Sequence, residues 1–147
     1  METFVPTRTP PPLPGTRILT LKAQNGLQVV EQLNQGLAAD SVEQLASYLE
    51  MPVTQILELA GIKSSTFFER KRQRQPLSPD ASGRIYRLAR VVEAAEDYFE
   101  NTDAAKRWLM HPKVALGGVT PLSFAHTAEG ADYVVRLLGR IAHGVIS

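Results

Sequence analysis

From Gly26 to the C-terminus, apolar residues recur at helical rather than strand spacing. Leu27, Val30, Leu33 and Leu37 fall on one helix face. Ser41 stands where it can cap a second helix, with Val42, Leu45, Ala46 and Leu49 at i, i+3, i+4 and i+7. Pro52 opens a short third helix with Ile56, Leu57 and Ala60 inward and Gly61 as its stop. Ser64 is placed to cap a fourth, "STFFERKRQRQ", which Pro76 ends. Ser78-Pro79-Asp80 combines a cap, a proline at the first helical position and an acid facing the helix dipole. The helix it starts carries Ile85, Leu88, Ala89, Val92, Ala95 and Phe99 on one face, a run of about 20 residues. Thr102 caps the next helix, which holds Trp108 and Leu109 and stops before Pro112. Thr120-Pro121 repeats the cap-then-proline signal, and Thr127 starts a last helix with Ala131, Val134, Val135, Leu138 and Ile141 inward.

No stretch sustains strand alternation between turn signals, so the pattern predicts an all-α fold. Residues 1–16 hold Pro6, Pro10, Pro11, Pro12 and Pro14 and little that could be buried, which predicts a disordered or polyproline-like tail. "TRILTLKA" follows as a short extended segment. The expected organisation is a tail over 1–16, a helix-turn-helix subdomain over 17–76 and a small helical domain over 77–147.

Composition narrows the class. A chain of 147 residues makes one domain or two small ones sharing a core, and 44% hydrophobic with 21% charged residues favours a folded state. The absence of cysteine removes disulfides, thiolate zinc sites and Cys nucleophiles. No apolar run approaches the ~20 residues of a membrane span, and the proline-rich start has the wrong texture for a secretory signal. A soluble cytoplasmic protein is expected, with no membrane partner and no cofactor.

Charge changes the picture more. The net charge of +1 conceals a segregation: Leu27–Ile62 holds Glu31, Asp40, Glu43, Glu50 and Glu58 with no Lys or Arg. Lys63–Arg90 holds eight Lys/Arg against Glu69 and Asp80, a net of +6. Such a block predicts that one face meets something anionic.

The basic block begins in a short helix, a glycine-containing "AGIK" turn and a helix opening Ser-Ser-Thr, which is the helix-turn-helix arrangement. Ser64, Ser65 and Thr66 are short hydroxyls that allow close approach to phosphate or base edges, next to Lys63. Glu69 and Arg70 can read a cytosine and a guanine edge. Lys71, Arg72 and Arg74 can neutralise backbone phosphates. A merely solvated basic helix end also suits the dipole. The glycine turn and the Ser-Ser-Thr start favour DNA. Phe67 and Phe68 are expected to split, one into the core and one toward solvent.

The segment "AKRWLMHPKVALGGVTPLSF" invites two catalytic readings, and neither is supported by its spacing. "ALGGVTP" has no G-x-G-x-x-G or G-x-x-x-x-G-K spacing and no strand before it, so a phosphate loop is excluded. His111, His126 and His143 share no metal-ligand spacing, and Ser123 lacks the G-x-S-x-G turn. A helical hydrolase using His111 or His126 therefore has no positive support. Packing does explain the residues: Trp108, Leu116 and Leu122 enter one core, and the glycine pair permits positive φ.

From Leu77 to Gly144 the chain resembles the toxin-binding domain of the Xre/MbcA/ParS antitoxins, the partners of RES-domain toxins. The resemblance is carried by "LSPDASGRIYRLARV" and "AAKRWLMHPKVALGGVTPLSFAHTAEGADYVVRLLGRIAHG". Within them stand Trp108-Leu109, Pro112, Ala115-Leu116-Gly117-Gly118, Pro121-Leu122, Thr127, Gly130, Val134, Leu137, Arg140-Ile141 and Gly144 in order. The upstream helices resemble the Xre-like helix-turn-helix of the same antitoxins, so about 120 residues are covered. Gly83 and Tyr86 depart from the Asp and Leu more usual in that helix; a mid-helix glycine costs roughly 1 kcal/mol against alanine.

The resemblance implies a helical homodimer that neutralises an NAD-degrading RES-domain toxin, encoded by the adjacent gene, and represses its own operon by binding operator DNA. The toxin's cleft would be covered by the C-terminal helix and tail. Candidate toxin contacts are Trp108, Leu116, Pro121, Arg136, Arg140, Ile141, His143, Gly144, Val145, Ile146 and Ser147. Arg136, Arg140 and His143 would enter a site built for an anionic dinucleotide; as ordinary surface cations, Arg136 and Arg140 would instead complement the helix dipole. The alternative is a helix-turn-helix regulator whose C-terminal domain serves dimerisation or ligand sensing.

Overall fold

A computed structural model describes residues 13–142. Eight α-helices and one 3-10 turn make up its regular structure, with no strand among the described residues. In chain order they are α1 (Gly26–Gln35), α2 (Asp40–Leu49), α3 (Val53–Ala60), α4 (Ser64–Arg72), α5 (Pro79–Phe99), α6 (Thr102–Leu109), the 3-10 turn Val114–Leu116, α7 (Pro121–Phe124) and α8 (Ala128–Ala142).

The long α5 organises the rest. Its start is as expected: the Ser78 side chain accepts from the Ala81 N–H, and Pro79 sits in the first turn. Ile85, Leu88, Ala89, Val92 and Ala95 are all buried, while Phe99 is half-buried. Around α5 pack α1, α2 and α3 as well as α6, α7 and α8. A single apolar cluster results, running from Ile18 and Leu19 through Leu45, Ile56 and Phe67 to Leu122, Val134 and Leu138. The 76/77 boundary lies just ahead of α5, so the residues on either side of it share one core.

Several local expectations shift. In α1 the buried residue is Val29, whereas Leu27 and Val30 face solvent and Leu37 is buried only after the helix has ended. The chain turns at Gly36 (φ +94), where a Cβ would stand 2.2 Å from the Leu77 carbonyl, so the helix face cannot run on as one stripe. α2 starts one residue earlier than Ser41, with Ala39 as its uncapped N-cap and Ser41 buried in the first turn. α6 is capped by Asn101, whose side chain accepts from the Ala104 N–H, rather than by Thr102. In α8, Ala131, Val134 and Leu138 are buried with Leu137, and Val135 and Ile141 are half-buried.

The N-terminal segment makes turns, not an extended strand. Leu13–Leu21 folds onto α5, with Ile18 and Leu19 in the core and Thr16 buried. The Tyr86 hydroxyl donates to the Pro14 carbonyl at 2.6 Å. The Arg17 N–H donates to Glu93 at 3.2 Å, and its guanidinium reaches Glu96 at 2.8 Å and Asp97 at 3.7 Å. Residues 1–12 of the expected tail lie outside the described residues.

Glu93 is buried, and its second carboxylate oxygen has no hydrogen-bond partner. Burial pushes its carboxyl above the usual range, against the opposing pull of Arg17. The folded carboxyl therefore holds a proton at pH values where the unfolded one has lost it. Its contribution to stability is full below the unfolded range and is lost as pH rises through the raised folded value. Glu93→Gln is expected to remove this slope: thermal midpoints of wild type and variant, followed between about pH 4.5 and 7, should diverge at the upper end in favour of the variant. Parallel curves would contradict the assignment.

Candidate functional site

Two faces carry the residues singled out above. The first is α3, its turn and α4. Gly61 closes α3 in the left-handed region (φ +69), and Ile62 N–H returns to the Leu57 carbonyl at 2.8 Å. Arg84 of α5 donates to the Ala60 carbonyl at 3.2 Å, tying this turn to the central helix. Phe67 is buried and Phe68 is 44% exposed, their rings edge-to-face with centroids 5.0 Å apart.

Ser64 is the first helical residue of α4 and not its cap; Lys63 takes the N-cap position without a side-chain bond. The amides of the first turn are thus uncapped by any side chain, beside the exposed Ser64, Ser65 and Thr66. Such an end suits an anion. The cations are less free than their number implies. Lys71 pairs with Glu43 of α2, and Arg72 pairs with Glu69. Gln73 also donates to Glu69, at 2.7 Å. Arg70 turns back to donate to the Pro76 carbonyl at 2.8 Å. Lys63 and Arg74 are exposed and stand outside these pairs, with Arg74 in the left-handed region (φ +56). The structure therefore places Ser64, Ser65, Thr66, Glu69, Arg70, Lys71 and Arg72 on α4, with Lys63 and Arg74 flanking its two ends. Glu43 lies outside the set marked by the sequence pattern, because its pairing with Lys71 joins residues on different helices.

The second face is built by α6, α7 and α8. Trp108 is half-buried, and Leu116 and Pro121 are buried, so these three support the surface more than they form it. α7 is set by Thr120, whose hydroxyl accepts from the Ser123 N–H, and α8 by Thr127, whose hydroxyl accepts from the Gly130 N–H at 3.0 Å. Arg136 and Arg140 are exposed on α8, and Ile141 is half-buried. The Arg140 guanidinium stacks over Tyr133, 5.7 Å from the ring centroid. His143, Gly144, Val145, Ile146 and Ser147 lie outside the described residues.

Leu116, Val119, Phe124 and Tyr133 line a groove of about 530 Å³ at this face, together with Ser123, His126, Thr127, Glu129 and Gly130. His126 Nδ1 sits 2.9 Å from the Ser123 carbonyl, its neighbour one turn back, and His111 is exposed. Among the described residues no three His, Asp or Glu side chains are grouped to hold a metal ion, and no helix is long and apolar enough to cross a membrane.

Two families of known proteins match successive spans of the chain. Residues 28–90 match the antitoxin Xre-like helix-turn-helix domain, and residues 94–144 match the antitoxin Xre/MbcA/ParS C-terminal toxin-binding domain. The chain is 32% identical to an "Antitoxin Xre" of Photorhabdus laumondii over 148 aligned positions, covering 100% of both chains. It is 33% identical to an "Antitoxin Xre" of Yersinia enterocolitica, over 94% of this chain and 97% of the relative. A "Prs ADP-ribosylating antitoxin" of a Sphingobium species is 30% identical over 78% of each chain. Full-length similarity, both domain matches and the all-helical fold agree: this chain belongs to the Xre/MbcA/ParS antitoxins and is the antitoxin of a toxin–antitoxin system, built with a helix-turn-helix domain.

Proposed function

We propose that this chain neutralises a RES-domain toxin that degrades NAD, the product of the adjacent gene, by covering its active site with α8 and the residues beyond it. The observation that carries this is the exposure of Arg136 and Arg140 on the last helix of a domain whose family binds toxins. A cleft shaped for an anionic dinucleotide favours guanidinium groups, which match phosphate in a bidentate way. The Sphingobium relative is named for ADP-ribosylating chemistry, and an NAD-consuming partner is compatible with that name. The direct test is co-expression with the adjacent reading frame and purification of the complex. A toxin that never co-purifies with the chain removes the proposal.

The same chain represses its own operon, in this reading, through α4 laid in the major groove of operator DNA, and acts as a homodimer so that two such helices meet a two-fold symmetric site. Lys63 and Arg74, outside the intramolecular pairs, make the phosphate contacts, while Lys71 and Arg72 must exchange Glu43 and Glu69 for DNA. Lys63→Ala and Arg74→Ala are each expected to weaken operator binding across sequences and lower its salt slope by about 1. Unchanged affinity and slope in a titration over several salt concentrations would move the DNA contact elsewhere.

A further inference from the structure

Between α6 and α7 the chain folds into a small closed knuckle. Lys113 and Val119 form an isolated antiparallel bridge, the Lys113 N–H donating to the Val119 carbonyl at 3.0 Å. The Gly118 N–H donates back to the Lys113 carbonyl at 2.9 Å, and the Gly117 N–H to Val114 at 3.0 Å. Gly117 (φ +73) and Gly118 (φ +89) are both left-handed, and a Cβ on either would meet nothing within 4 Å. Backbone conformation, not crowding, therefore requires these glycines.

The knuckle is held from within and bare outside. Leu116 is buried beneath it, and the Lys113 ammonium lies 5.3 Å from the Trp108 ring centroid. Yet Val114 is 97% exposed and Val119 43% exposed. These are the exposed large hydrophobic residues of the described part of residues 94–141. Val119 and Leu116 continue directly into the groove walled by Phe124 and Tyr133, whose rings are 5.7 Å apart. One exposed valine is unremarkable, but two on a rigid turn beside an apolar groove make a patch that water covers poorly. Rigid presentation also lowers the ordering entropy lost on binding.

We infer that the Lys113–Val119 knuckle and the groove beside it are the apolar anchor with which this chain grips its toxin. The occupant is a protein with an apolar surface, and two observations select the toxin. The patch lies wholly inside the span matched by the toxin-binding domain. Through Tyr133, on which Arg140 stacks, the groove is continuous with the helix proposed to reach the toxin's cleft. The inference thus rests on the antitoxin reading given under Proposed function.

The experiment uses the full chain with Val114→Asp and Val119→Asp, singly and together, against the purified product of the adjacent gene. Because both side chains are exposed, the fold should survive, and thermal midpoint and operator binding serve as controls. The double variant is expected to raise the toxin Kd about 30-fold with both controls and the oligomeric state unchanged. Wild-type toxin affinity in the double variant overturns the inference. So does loss of the chain's own oligomer at unchanged toxin affinity, which would make a second copy the occupant. A wild-type chain that does not bind this product overturns the proposed toxin identity and this surface with it.

Discussion

Gly130→Ala is expected to lower the thermal midpoint by about 10 °C, an effect out of proportion to one methyl group on a helix. Gly130 lies in the first turn of α8, and its N–H is held by the Thr127 hydroxyl. A Cβ at this position would stand 1.8 Å from the Phe124 carbonyl oxygen and 3.0 Å from its carbonyl carbon. Both are backbone atoms, so no rotamer change relieves the overlap. The α7–α8 junction must open, which disturbs the groove and the helix carrying Arg136 and Arg140. Taking about 3 kcal/mol for an overpacked site without a side-chain escape gives the stated shift for a chain of this size. Gly139→Ala is the matched control, because a Cβ there would meet nothing within 4 Å. A calorimetric midpoint for Gly130→Ala within 2–3 °C of wild type would show that the junction yields more easily than its geometry implies.

The second large effect concerns neutralisation. Deleting Gly144–Ser147, or changing Arg140 to Glu, is expected to release toxicity in cells carrying the adjacent gene. Arg140 is exposed and stacks on the Tyr133 face, so its reversal is expected to leave the fold intact. In a cleft that accepts phosphate, a carboxylate brings both lost attraction and new repulsion, worth about 100-fold in affinity. Full protection by both variants would place the blocking residues elsewhere, with the knuckle the next surface to test.

Much of the architecture was legible because the punctuation in this chain is strong. Ser78-Pro79-Asp80, Gly61 and Thr120-Pro121 each fix a helix end by local physics alone, and each stands where expected. The cap of α6 was less legible because two capping residues adjoin, and Asn101 rather than Thr102 reaches the open amide; α4 starts at Ser64 with no side-chain cap at all. Along α1 the buried residue is Val29 and not Leu27 or Val30, which nothing in the local pattern marks, while Gly36 redirects the chain so that Leu37 packs on a different bearing from the helix before it. Ile18 and Leu19 gave no period long enough to mark them as core, although α5 buries both.

At the candidate sites, residue type was readable but partnership was not. The basic block is plain in the sequence, whereas the pairing of Lys71 with Glu43 exists only because α2 lies beside α4. The knuckle had a signal, two valines flanking a Gly-Gly turn. Only the burial of Leu116 against the exposure of Val114 separates its inner from its outer side.

As proposed above, this chain covers a partner's NAD chemistry. The most direct measurement is the NAD content of cells expressing the adjacent gene alone, with this chain, and with the Val114→Asp/Val119→Asp chain. NAD should fall with the gene alone, hold at the untreated level with the wild-type chain, and fall again with the variant. NAD loss that continues while the wild-type chain is bound to the toxin would contradict the account.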